Sequence, residues 1–132
     1  MTVQWNKTLE TGDAEIDAQH IELFRRVNLL LDMTDTIKLT KCLISLFKFT
    51  REHSSYEEDL MRKIRFPKIF PHLVEHNELL SQLNTVAESI ANNSFVTLDW
   101  QAFFEVWLIH HIETSDRELV SYLATHPLPE SR

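Results

Sequence analysis

Tight turns have almost no raw material in this sequence, which holds one glycine and four prolines among 132 residues. That scarcity excludes an all-β fold, with its frequent Gly- and Pro-rich turns, and favours long helices. Cysteine occurs once, as Cys42, so no internal disulfide is possible and a reducing compartment is the natural expectation. No apolar run approaches the roughly 20 residues that span a bilayer, and the opening stretch MTVQWNKTLE lacks the basic and apolar regions of a signal peptide. The expected setting is therefore cytoplasmic, with no membrane partner. Basic residues are outnumbered 20 to 13, giving a formal charge of -7, and an acidic chain is a poor partner for nucleic acid, whose phosphates need a basic face.

What the sequence does contain is a hydrophobic fraction of 43% and enough length for one well-filled core. Residues 1–132 read as a single domain, with an aperiodic N-terminal arm over 1–14, which Trp5 would anchor against the body, and a C-terminal tail over 126–132 that carries Pro127 and Pro129. Between them the apolar residues recur at alternating threes and fours, the period of a helix with one buried face. The first stripe is Ile16, His20, Leu23, Val27 and Leu30, and it stops near Met33 at the polar break Thr34, Asp35, Thr36. The second is Leu39, Leu43, Leu46, Thr50, His53, Glu57, Leu60 and Ile64, ended by Phe66 and Pro67, since proline disfavours helical geometry in the residue before it. The third is Ile69, His72, His76, Leu79, Leu83, Val86 and Ile90, closing at Asn92, Asn93 and Ser94. A fourth begins near Thr97 or Asp99, either of which suits an N-cap, and runs Trp100, Phe104, Trp107, His111.

After His111 the stripe resumes one residue late, as Ile112, Asp116, Leu119 and Leu123. Five residues of regular α-helix would set His111 and Asp116 roughly 140° apart, off any common face. A single π-helical turn between them brings both inward, and such turns occur often at functional sites.

Four stripes with short connections specify an all-α, up-down-up-down antiparallel four-helix bundle. In that topology His20, near the start of the first helix, shares one end of the bundle with His53 and Glu57, late in the second. His72 and His76, early in the third, and His111 and Asp116, late in the fourth, lie at the same end. Buried ionisable groups are costly unless paired or bound to metal. Any one of these residues alone would be an unremarked core or surface group. Five histidines and two carboxylates on seam positions at one end point instead to a metal site. His110, His126 and Cys42 fall off the pattern, as do Glu58 and Asp59, which read as a solvated face.

Seven ligands exceed what one tetrahedral zinc uses, no cysteine ligand is present, and neither HExxH nor Glu-x-x-His occurs in the seam. Two metals bridged by the carboxylates is the economical arrangement. The motifs Ile16-Asp17-Ala18-Gln19-His20, His53 with Glu57-Glu58-Asp59-Leu60-Met61, Phe66-Pro67 leading to His72 and His76, and Trp107 to Ile112 followed by Asp116 span nearly the whole chain. In them the sequence resembles a hemerythrin, specifically the bacterial single-domain kind. It departs from that pattern at Ser54, where the family commonly has phenylalanine, and at Phe66, where tyrosine is usual.

The resemblance implies two iron ions, bridged by an oxo or hydroxo group and by Glu57 and Asp116. His72, His76 and His111 would hold one iron, and His20 and His53 the other. The second iron, one histidine short, keeps an open position, and reversible O2 binding for storage, transport or sensing follows as the implied function, with Ile112 and Trp107 lining the O2 pocket. The rival reading is a di-iron enzyme acting on peroxide, nitric oxide or ferrous iron. A histidine-rich, carboxylate-poor ligand set favours binding over oxygen activation, so the chain is expected not to be an enzyme. A module that signals oxygen level to another protein is a third reading, and nothing in the sequence specifies such a partner.

Overall fold

The structure, a computed structural model, describes residues 2–128; Met1 and residues 129–132, with the tail's Pro129 among them, lie outside the described residues. Helix α1 (Ala14–Asp32) opens on Asp13, whose side chain accepts from the Ile16 amide. Helix α2 (Thr36–Lys63) opens the same way on Asp35, which accepts from Lys38. Each such cap satisfies an amide that the first turn leaves free, and contributes about 1 kcal/mol. Helix α3 (Ile69–Ala91) follows a tight turn in which Arg65 takes a left-handed conformation, φ 55°, and the Phe66 amide donates back to the Met61 carbonyl at 2.9 Å. That closure stops α2 at Lys63, slightly before the Phe66-Pro67 pair expected to end it.

Helix α4 (Thr97–His111) begins after Val96 rather than on a Thr97 or Asp99 cap, because neither side chain makes a capping bond. It continues through a π-helical turn, Ile112–Asp116, into α5 (Arg117–Thr125). The five-residue spacing from His111 to Asp116 predicts this turn: the wider π ring absorbs the extra residue and keeps both residues on the inner face. Both are buried. Among the described residues there is no strand, and α1 packs against α2 and α4 while α2 packs against α3, as the antiparallel bundle requires.

The arm is pinned rather than loose. Asn28 on α1 accepts from the Val3 amide at 2.7 Å and donates to the Val3 carbonyl at 2.9 Å, and Val3 and Leu9 are buried with Trp5 packed beside them. Asp17 gathers the amide and hydroxyl of Thr11 and the amide of Gly12, whose φ of +100° only glycine adopts without strain.

The apolar core is divided in two. One cluster, built on Leu23, Val27, Leu46, Leu79, Leu83 and Leu108, fills most of the bundle; a smaller one, with Ile16, Leu60, Met61, Phe66 and Leu119, closes the end at the α2–α3 turn. On every helix the step from one cluster to the other passes a polar residue: Ile16 to His20 to Leu23, Leu46 to His53 and Glu57 to Leu60, Ile69 to His72 and His76 to Leu79, Leu108 to His111 and Asp116 to Leu119. A polar layer is thus enclosed between two apolar ones.

Candidate metal centre

That layer contains His20, His53, Glu57, His72, His76, His111 and Asp116, each at most 5% exposed, and Glu57 and Asp116 fully buried. Their ligand atoms form two groups, within each of which all lie within 4.8 Å of one another. One group is Glu57, His72, His76, His111 and Asp116; the other is His20, His53, Glu57 and Asp116. Both carboxylates belong to both groups.

The carboxylates divide their oxygens between the groups. Glu57 Oε1 lies 3.1 Å from His72 Nε2 and 3.0 Å from His76 Nε2, whereas Oε2 lies 3.1 Å from His53 Nε2 and 3.7 Å from His20 Nε2. Asp116 repeats the pattern, with Oδ1 at 3.1 Å from His72 Nε2 and 3.3 Å from His111 Nε2, and Oδ2 at 2.8 Å from His20 Nε2. Several of these close pairs are not aligned for hydrogen bonding: Glu57 Oε2, both Asp116 oxygens, His20 Nε2 and His111 Nε2 are buried without a hydrogen-bond partner. Orphaned polar atoms are rare in protein interiors and call for an explanation such as an ion. Here they lie within 4.8 Å of the other ligand atoms of their group, the spacing of a ligand set.

Three rings are held from behind. His53 Nδ1 donates to Gln19 Oε1 at 2.7 Å, and Gln19 is itself oriented by its amide donating to Glu15 at 2.9 Å. His76 Nδ1 donates to Glu58 at 3.1 Å, and His111 Nδ1 donates to Glu75 Oε1 at 2.7 Å, while Ser115 Oγ donates to the same carboxylate. Such partners fix a ligating imidazole's orientation and raise its basicity. Glu58 therefore corrects the reading of a solvated face: it is off the stripe of α2 yet turned toward α3, whereas Asp59 is exposed. Gln19, Glu75 and Ser115 carried no seam signal at all. His110 is exposed and turned away, as its place beside the seam implies.

Trp107 stacks on the His111 ring, centroids 4.7 Å apart and planes 16° from parallel. With Leu23, Ser54, Leu79, Leu108 and Ile112 it walls a cavity of about 10 Å³ that borders His20, His53, His76, His111 and Asp116. Such a space holds about one water-sized molecule.

In the metal-free chain these groups compensate one another. Burial alone would push the His20, His72 and His111 rings down, but the Asp116 and Glu57 carboxylates outweigh it, helped at His111 by Glu75, and raise them from 6.5 to about 9, 9 and 10. Burial alone would likewise push Glu57 and Asp116 up, yet the surrounding imidazoles hold both well below the usual carboxylate range. A histidine whose value is raised on folding adds stability that is complete below pH 6.5 and disappears as pH climbs through the folded value. Urea denaturation of the metal-free chain is therefore expected to show a midpoint that falls between pH 7 and pH 10. A midpoint that is flat or rises across that window contradicts the imidazolium–carboxylate arrangement.

The bundle and its buried layer define a class: an all-helical protein with a histidine–carboxylate cluster suited to binding metal cations. The family model for the hemerythrin HHE cation binding domain matches residues 11–123. The chain belongs to the hemerythrin family. It is 26% identical over 124 residues to a bacteriohemerythrin of Ralstonia nicotianae, covering 92% of this chain and 89% of the relative. A bacteriohemerythrin of Clostridium acetobutylicum is 25% identical over 88% of this chain and 97% of its own length, and a myohemerythrin of Theromyzon tessulatum 23% identical over 86% and 87%. A solved wild-type hemerythrin superposes with a TM-score of 0.82 at 25% identity, covering 92% of this chain and 97% of that one. No helix among the described residues is long and apolar enough to cross a membrane.

Proposed function

We propose that the seven buried residues hold two iron ions and that the resulting centre binds O2 reversibly. The observation that carries this reading is the division of carboxylate oxygens: Glu57 and Asp116 each turn one oxygen to the His72, His76 and His111 side and the other to the His20 and His53 side, as two shared bridging ligands must. A donor set of imidazole and carboxylate without thiolate suits iron, and family membership selects it from the other metals such a set accepts. When bound, the pair of ions supplies the two electrons that O2 takes up on binding and returns on release.

The chain's own residues do the rest. The group containing His20 and His53 has one imidazole fewer than the other, which leaves a coordination position for a ligand from outside. The small cavity beside it is walled mostly by apolar side chains, with Ser54 among them and Ile112 just 1% exposed. That wall excludes water and the protons that would turn reversible binding into oxidation of the centre. Leu119, in the first turn of α5, and Phe66, at the α2–α3 turn, belong to the smaller apolar cluster that lies beyond the layer at its near end.

The deciding experiment is anaerobic reduction followed by exposure to O2, with iron measured at two per chain and an oxygen-dependent absorption band that disappears on deoxygenation. Oxygen consumed without a returnable complex supports the enzyme reading instead. Within the same measurement Ile112→Ala is expected to speed autoxidation several-fold, because water gains access to the cavity. An unchanged rate removes Ile112 from the pocket wall.

A further inference from the structure

Every proposed ligand is buried, so a hydrated cation must have some way in. At the end of the bundle where α2 turns into α3, a cleft of about 80 Å³ runs inward between Phe66, Lys68 and Pro71 on one side and Glu75, Ser115 and Glu118 on the other. Its inner wall is the ring of His72, which is 2% exposed. His72 Nε2 faces Glu57 and Asp116, each at 3.1 Å, while its Nδ1, on the other side of the ring, is buried with no hydrogen-bond partner. His53, His76 and His111 all have their second nitrogen engaged. His20 Nδ1 is also unpartnered, but that ring borders the small cavity beside Trp107 and Ile112 and does not line the cleft.

The outer rim of the cleft is charged. Glu118 and Lys68 are exposed and ion-paired across its mouth, and Glu75, one-third exposed, stands between them and the centre. A dication sheds its hydration shell only where anionic or polar donors replace the water, so an apolar opening does not serve it. The larger groove between α2 and α3, floored by Leu43, Phe47 and Leu83, touches none of the seven.

We propose that the Glu118–Glu75–His72 cleft is the entrance through which divalent cations reach the centre, with Lys68 as the counter-ion a cation displaces. The proposal rests on the reading that the seven residues hold metal. Glu118 collects the ion, Glu75 carries it past Ser115, and the free nitrogen of His72 is the last donor outside the layer.

An entrance alters rates in both directions and leaves the equilibrium alone. The full chain loaded with Fe²⁺ under anaerobic conditions is mixed with an excess of a colour-forming ferrous chelator and release is followed. The stripped chain is then reloaded and uptake is followed, with iron per chain measured at the end. Glu118→Gln is expected to slow release and uptake by the same factor, roughly tenfold at low ionic strength, with two ions still bound at equilibrium. Lys68→Met is expected to speed both. Glu52→Gln, which removes an acid from the α2–α3 groove, is expected to change neither. Unaltered rates in Glu118→Gln, or equal slowing in Glu52→Gln, overturn the entrance. A wild-type chain that takes up no ion defeats the reading that the seven residues hold metal, and the entrance falls with it.

Discussion

Replacing Glu57 with glutamine is expected to leave the bundle folded and to abolish metal binding in both ligand groups, taking the iron content from the proposed two per chain to well below one. Glutamine keeps the shape and the stem that packs in the layer, so the helical signal in circular dichroism should persist. What it loses is the second anionic oxygen. Glu57 faces His72 and His76 through Oε1 and His53 through Oε2, so a neutral amide withdraws an anionic donor from both ligand groups at once and presents an N–H group to one of them. Two ferrous ions would bring four positive charges into a fully buried layer, and removing one of its two carboxylates raises the uncompensated charge from +2 to +3, which a low-dielectric interior tolerates poorly. A Glu57→Gln protein that retains two irons per chain would show that this carboxylate is not shared. A variant that loses one ion only would place it in a single group. Metal analysis beside the circular dichroism spectrum separates these results from simple unfolding.

The second large effect is expected from a residue that touches no metal. Glu75→Ala should weaken metal retention roughly 10- to 100-fold, the range typical of losing a partner behind a ligating histidine. Glu75 on α3 accepts from His111 Nδ1, just before the π turn, and from Ser115 within it. One carboxylate thus orients the His111 ring, strengthens its donor nitrogen and ties the turn that brings Asp116 inward to a neighbouring helix. Its own carboxyl is held low first by the His111 hydrogen bond, against the opposing effect of partial burial. Ser115→Ala removes only the tie and should cost less, with His111 still held. A chelator competition titration measures both, and equal affinity of wild type and Glu75→Ala would mean that Trp107 stacking alone fixes the ring. Because Glu75 also lines the cleft, the equilibrium measurement is the informative one here; rates belong to the Glu118 test.

Much of the fold was legible because the signal is periodic. A helix that buries one face repeats its apolar residues at threes and fours whatever its neighbours are, and the four stripes from Ile16 to Leu123 needed no tertiary information. The π turn was legible for the same reason: the stripe broke by one residue at His111 and resumed. Helix ends were less so. The α2–α3 turn depends on the left-handed backbone of Arg65, which no residue type marked, and α4 starts at Thr97 as expected but without the side-chain cap expected there.

The candidate site divides along the same line. By itself the sequence determined that five histidines and two carboxylates occupy seam positions at one end of an antiparallel bundle, because helical period and up-down topology together fix both the face and the height of a residue. Only the tertiary structure decided which oxygen of Glu57 and Asp116 faces which imidazole, since that depends on how two helices cross rather than on spacing along either. It alone decided that Glu58, Glu75 and Gln19 stand behind the rings, for these are off-stripe residues whose partners lie 18, 36 and 34 positions away. A period identifies what is buried; contacts between helices determine what each buried group meets.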